Sequence, residues 1–108
     1  MSVPYLEIEE TREGESVRLR LIGELDLAST RGLEARLREL GAAGQRVGID
    51  LSGVTFIDSS GIRLLIHSLR DARRDGWELE VDQNISPHVR RILRLANVES
   101  LILGEVPG

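Results

Sequence analysis

The 108-residue chain has no cysteine and no lysine, and only three aromatic residues, Tyr5, Phe56 and Trp77. Without cysteine there is no disulfide, no thiolate zinc site and no thiol nucleophile. Without lysine there is no P-loop lysine, no Schiff base and no lysine general base. All fourteen basic residues are arginines, and no stripe of them is interleaved with aromatics, so nucleic acid is not an expected partner. His67 and His88 stand far apart in the sequence, too little for a metal site, and no cofactor or metal is expected. No apolar run approaches the roughly 18 residues of a membrane span, and the N-terminus lacks a charged-then-apolar leader pattern. No membrane insertion is expected, and the expected compartment is the cytoplasm. The formal charge of −4 is modest, with acids and bases interleaved. The length suits a single domain, residues 1–108, that buries about two-thirds of its unfolded surface without staples.

Hydrophobic periodicity divides this domain into strands and helices. Tyr5 to Glu10 alternates, with Leu6 and Ile8 on one side and Glu7 and Glu9 on the other. Val17, Leu19 and Leu21 alternate with Arg18 and Arg20, and the polar stretch Thr11 to Glu15 contains Gly14. This pattern predicts an antiparallel hairpin with outward glutamates facing outward arginines. Leu33, Leu37 and Leu40 then fall at helical spacing, with Ser29 or Asp26 as the expected cap. Val47, Ile49 and Leu51 mark a third strand. Residues 52–57 are open to two readings: a hairpin turned by Ser52-Gly53, or an apolar loop under the sheet. Ile62, Leu65, Ile66, Leu69 and Ala72 form the apolar face of a second helix that ends at Asp75-Gly76. Trp77, Leu79 and Val81 alternate as a fourth strand. Ser86-Pro87 opens a third helix carrying Val89, Ile92, Leu93 and Ala96, and Leu101 to Leu103 is expected to be a short last strand. The order β-β-α-β-α-β-α-β implies right-handed crossovers and an α/β fold with a mostly parallel mixed sheet and one antiparallel edge.

Chemistry concentrates at Asp58-Ser59-Ser60-Gly61, between the apolar run Val54 to Ile57 and the second helix. Loops beyond the carboxyl ends of parallel strands are where such sheets bind. A helix start there, with unpaired N–H groups and a dipole of about +0.5 charge, tolerates an anion. Phosphorylation of Ser59 or Ser60 would add about −1.5 to −2 charges. Asp58 would oppose that charge, as would Asp26 if the fold brings it near. Plain helix capping accounts for the same four residues, so a switch and a cap both remain open on spacing alone. Catalysis is disfavoured: there is no Gly-x-Ser-x-Gly elbow, and only His67 or His88 could act as a base. A receiver-type phospho-aspartate at Asp50 lacks the acidic pair and the late basic residue it would need.

Three segments together, Gly23 to Asp26, Ile49 to Gly61 and Ile85 to Leu93, resemble the STAS domain, and more narrowly the bacterial anti-sigma-factor antagonists. The resemblance covers about residues 5–103. It implies that residues 52–57 are the apolar loop before the helix. It also implies that Ser59 is phosphorylated by a partner anti-sigma factor that is itself an ATP-binding serine kinase. The unphosphorylated antagonist binds that kinase and frees the sigma factor, the phosphorylated form lets go, and a serine phosphatase resets the cycle. The implied partner surface is Asp26, Asp58, Ser60, Gly61, Ile62 and Arg63. Such a protein is a binding module and not an enzyme. The alternative is a STAS scaffold of a signalling complex or a small transporter subunit. Two departures stand out. Arg63 occupies a position where the family often has glycine, and would alter partner choice or pair with the phosphate. The family's C-terminal helix is also missing from the pattern, because Glu105 to Gly108 is too short for one. Reduced stability, a partner on the uncovered face or a rearranged tail is therefore expected.

Overall fold

A computed structural model describes residues 6–104. Its first element is the expected hairpin. β1 (Leu6–Glu13) pairs antiparallel with β2 (Ser16–Leu25) in a register that sets Ile8 opposite Leu21 and Glu9 opposite Arg20. Tyr5, the expected start of β1, lies outside the described residues. The outward charges do meet, with Arg20 and Glu9 3.7 Å apart. On the inner side Arg36 of α1 (Thr30–Ala42) grips Glu10 with two hydrogen bonds of 2.8 and 2.7 Å, tying β1 to the helix layer.

β3 (Arg46–Ile57) runs parallel to β2, and β4 (Leu79–Val81) runs parallel to β3, giving the sheet order β1-β2-β3-β4. α1 and α2 (Ser59–Asp75) pack against each other and onto this sheet. Leu33, Leu37 and Leu40 of α1 and Leu64 and Leu65 of α2 join Val17, Leu19, Leu21, Val47, Ile49 and Val81 in one core. The burial stripe of α2 is rotated from the expected one: Leu64 is buried, while Ile62, Ile66 and Leu69 are only partly so.

The segment 52–57 is neither the turned hairpin nor the loop that the resemblance implied. It continues β3 to its end, with Gly53 opposite Ile22, Val54 opposite Gly23 and Ile57 opposite Leu25. Between Arg20 and Ile22, and again between Gly23 and Glu24, β3 carries one residue more than β2. These are β-bulges, which break the two-residue alternation that would have announced a strand. Gly53 permits the first of them, because a Cβ there would stand 2.8 Å from the Leu21 carbonyl oxygen.

The end of the chain also departs from expectation. α3 (Pro87–Leu95) is capped by Ser86, whose Oγ accepts the Val89 N–H at 3.2 Å, as its sequence foretells. Leu101 to Leu103, however, belong to a short helix, α4 (Glu99–Leu103), and not to a strand. Asn97 turns the chain at φ 59°, and Glu99 is held by Arg90 and Arg94 at 3.3 and 3.4 Å. Ile102 and Leu103 are buried while Leu101 is exposed, a helical and not an alternating pattern. Three apolar residues are too few to tell the two periods apart. α4 packs on α2, α3 and β4, so the tail is rearranged in place of a fifth strand. Glu105 to Gly108 lie outside the described residues.

On the sheet face opposite the core, Arg18 bridges Asp50 (3.3 Å) and Asp82. Asp50 is 7% exposed. Burial by itself pushes its carboxyl up, but hydrogen bonds from Ser52 and the Arg18 guanidinium outweigh that and hold it below its ordinary value. A lowered carboxyl contributes stability that is complete above its unfolded value of about 3.9 and is lost as pH falls through the lower folded value. The melting temperature of wild type is therefore expected to exceed that of Asp50→Asn at pH 7, with the gap closing as pH drops below about 4. A gap independent of pH would remove the ion pair from the cause.

Candidate functional site

β2 and β3 end as ladder partners, Leu25 beside Ile57, and each hands the chain to an aspartate. Asp26 follows one strand and Asp58 the other, so neighbouring parallel strands about 4.8 Å apart bring the two together at the carboxyl end of the sheet. The Asp58 N–H donates to the Leu25 carbonyl at 3.2 Å, which locks the two exits to each other.

Each aspartate fastens the chain just beyond its strand. Asp58 is the N-cap of α2 in extended conformation (φ −111°, ψ −174°), and its Oδ1 accepts the N–H groups of Ser60 (2.9 Å) and Gly61 (3.1 Å). Asp26 closes the turn before α1: its Oδ1 accepts the N–H groups of Ala28 (3.1 Å) and Ser29 (3.2 Å). Ser29 takes the N-cap position but makes no side-chain bond into the helix. Its Oγ instead donates to the Glu24 carbonyl (2.9 Å) and accepts the Asp26 N–H (3.0 Å). Neither residue therefore gives α1 the expected side-chain cap: Asp26 fastens the turn that leads into the helix. Asp26→Ala, which removes both turn bonds, is expected to cost about 1 kcal/mol, while Asp26→Asn, which keeps an acceptor, stays within about 0.5 kcal/mol of wild type in urea unfolding. Equal losses from both would show that the carboxylate charge, not these turn bonds, is what matters for stability.

Ser59 is exposed at the first position of α2, Ser60 is half-buried behind it, and Gly61 is buried. A Cβ at Gly61 would meet the Leu25 carbonyl oxygen at 2.5 Å and Ile57 Cγ1 at 2.9 Å, so the helix start sits directly on the strand ends. Ile62 is half-buried against the core and Arg63 is exposed. The six implied partner-surface residues therefore gather at one end of the sheet, with Ser59 and Arg63 outermost. The helix start is less open to anions than spacing suggested. Of the early N–H groups, Ile62 bonds the Asp58 carbonyl (3.0 Å) and Asp58 Oδ1 takes Ser60 and Gly61, leaving Ser59 alone.

Two apolar residues at this end escaped the sequence pattern. Leu27 is 73% exposed in the turn after Asp26, and Phe56 is 43% exposed two residues before Asp58. Phe56 sat inside an apolar run that reads as buried, and the second bulge turns it outward. Leu27 had only one signal, an apolar residue with no periodic companion. From Leu27 a groove of about 240 Å³ runs between α1 and α2, lined among others by Thr30, Ser60, Arg63 and His67. His67 stands eight residues beyond Ser59, about 12 Å along the helix axis, and so is not placed to activate that hydroxyl as a base. Among the described residues no helix is long and apolar enough to cross a membrane, and no cluster suited to a metal ion is found.

A four-stranded mixed sheet that offers a serine at a helix start, near a capping aspartate, a turn-closing aspartate and exposed apolar residues, defines a small α/β domain. The chain belongs to the STAS family: residues 8–104 match the family described as Mlab, STAS domain. It is similar to a STAS-domain containing protein of Pseudomonas aeruginosa, 25% identical over 82% of this chain and 87% of that protein. It is similar to the anti-sigma-B factor antagonist of Staphylococcus aureus, 26% identical over 90% of each. Its fold matches that of the Bacillus anti-sigma factor antagonist SpoIIAA in its unphosphorylated form, with a TM-score of 0.71 at 22% identity over 94% of this chain and 89% of that one. The phosphorylated form of SpoIIAA matches with a TM-score of 0.66 at 21% identity, over 94% of this chain and 92% of that one.

Proposed function

We propose that this chain is an anti-sigma-factor antagonist that works by partner switching. It binds an ATP-binding anti-sigma-factor serine kinase while Ser59 is unmodified, and phosphorylation of Ser59 releases it. A serine phosphatase restores the binding form. The carrying observation is the state of the α2 start. Ser59 is exposed while Asp58 occupies the N–H groups that would otherwise absorb a phosphate. A phosphate there adds about −1.5 to −2 charges after Asp58, at the sheet end that also carries Asp26 and the exposed Leu27. Its charge therefore falls on whatever surface docks at this end.

Ser60 is the weaker acceptor, being half-buried toward the α1–α2 groove. The S. aureus relative and SpoIIAA, which exists in phosphorylated and unphosphorylated forms, support the same reading. The matched family is described by its domain and not as an antagonist, which is equally compatible with the scaffold or transporter-subunit alternative.

Incubation with Mg-ATP and each small ATP-binding kinase of the source genome, followed by intact-mass measurement, separates the two. One added phosphate in wild type and in Ser60→Ala, absent in Ser59→Ala, is expected. No added phosphate with any kinase would favour the scaffold.

A further inference from the structure

Arg63 stands one helical turn beyond Ser59 on α2, and residues four apart on a helix are neighbours, with Cβ atoms about 5–6 Å apart. Both residues are exposed. The two carboxylates lining the groove beside Arg63 are engaged elsewhere: Glu34 pairs with Arg38 at 2.7 Å and Asp71 with Arg74 at 3.3 Å. Arg63 forms no ion pair among the described residues. We propose that Arg63 is the built-in counter-cation of a phosphate on Ser59, folding back over the first turn of α2 to hold it. The proposal rests on Ser59 being the acceptor.

The cation is needed because the backbone does not supply the charge balance. With Ser60 and Gly61 bonded to Asp58, only the Ser59 N–H is left for an anion. A guanidinium offers paired donors that match phosphate oxygens, and the stem of Arg63 starts on the same helix face. The pair would reduce the modified site from about −2 to about −1. It would also fix the phosphate on the outer side of α2, where a docking partner meets it. Arg63 thereby sets how large a charge step the switch makes.

The test places phosphoserine at position 59 during translation, so that no kinase is required, and follows the phosphorus-31 resonance across pH in wild type and Arg63→Gln. A nearby cation favours the dianion, so the second phosphate ionisation of wild type, ordinarily near 6, is expected at least about 0.3 unit below that of Arg63→Gln. The gap is expected to shrink in about 1 M salt, where screening acts over about 3 Å. A smaller gap, or one that salt leaves unchanged, overturns the proposal. If kinases phosphorylate Ser59 yet the ionisations coincide, the counter-cation alone is wrong. If the gap appears while no kinase modifies Ser59, the pairing stands and the switch fails.

Discussion

Ser59→Asp is expected to weaken binding to the kinase partner at least about tenfold in the absence of ATP, equivalent to about 1.4 kcal/mol. A carboxylate carries about half the charge of a phosphate, and the partner surface that fits a hydroxyl would have to desolvate it. The variant should remain folded, since a negative charge in the first turn of a helix is favourable by about 0.3–1 kcal/mol. Binding and stability therefore move apart, which excludes unfolding as the cause. Ser59→Ala should bind as tightly as wild type and stay bound when Mg-ATP is added, because it offers no acceptor. Titration calorimetry of the three proteins against the kinase reads both effects. Equal affinity of Ser59→Asp and wild type would mean that charge at this position does not control docking.

Gly61→Ala is expected to be strongly destabilising for a single added methyl. The added Cβ would lie 2.5 Å from the Leu25 carbonyl oxygen and 2.9 Å from both Ile57 Cγ1 and Leu25 Cγ. Backbone oxygen cannot swing aside as a side-chain tip can, so α2 must lift from the ends of β2 and β3. Overpacking of this kind costs about 1–3 kcal/mol, a fall of roughly 10 °C in melting temperature for a domain of this size. Lifting the helix also strains the Asp58 N–H to Leu25 bond, so kinase binding should suffer with stability. Gly32→Ala is the matched control: Gly32 lies inside α1 with nothing within 4 Å of a new Cβ. There the helix gains up to about 1 kcal/mol. If both substitutions stabilised the protein, the close approach at Gly61 would not exist in solution.

Much of this architecture was legible because local and long-range signals agreed. The alternation of β1 and β2, the leucine spacing of α1 and the Ser86-Pro87 start of α3 all specify the elements they became. Two segments misled for definite physical reasons. In β3 the bulges insert residues that shift the side-chain alternation, so a strand that continues to Ile57 reads as a break at Ser52-Gly53. At Leu101 to Leu103 three consecutive apolar residues did not separate a strand from a helical turn. The decision was tertiary: Arg90 and Arg94 fasten Glu99, and Ile102 and Leu103 find cover at the core.

The site divides in the same way. Asp58, Ser59, Ser60 and Gly61 were visible as a motif, and the close packing under Gly61 gives that motif a structural reason beside the proposed functional one. Switch and cap proved compatible, since Asp58 does the capping and leaves Ser59 outward. Leu27 and Phe56 were hidden because exposure at a strand end depends on where bulges fall. The saturation of the helix N–H groups by Asp58 was hidden too, being a matter of side-chain orientation and not of spacing.

The decisive measurement is the affinity of one purified protein for the kinase before and after a single phosphate is added at Ser59, without ATP, at fixed salt. A partner-switching antagonist loses at least about 100-fold in affinity, about 2.8 kcal/mol, and recovers it after dephosphorylation. Indistinguishable affinities of the two forms would contradict the switch and leave Asp58 to Gly61 as a helix start alone.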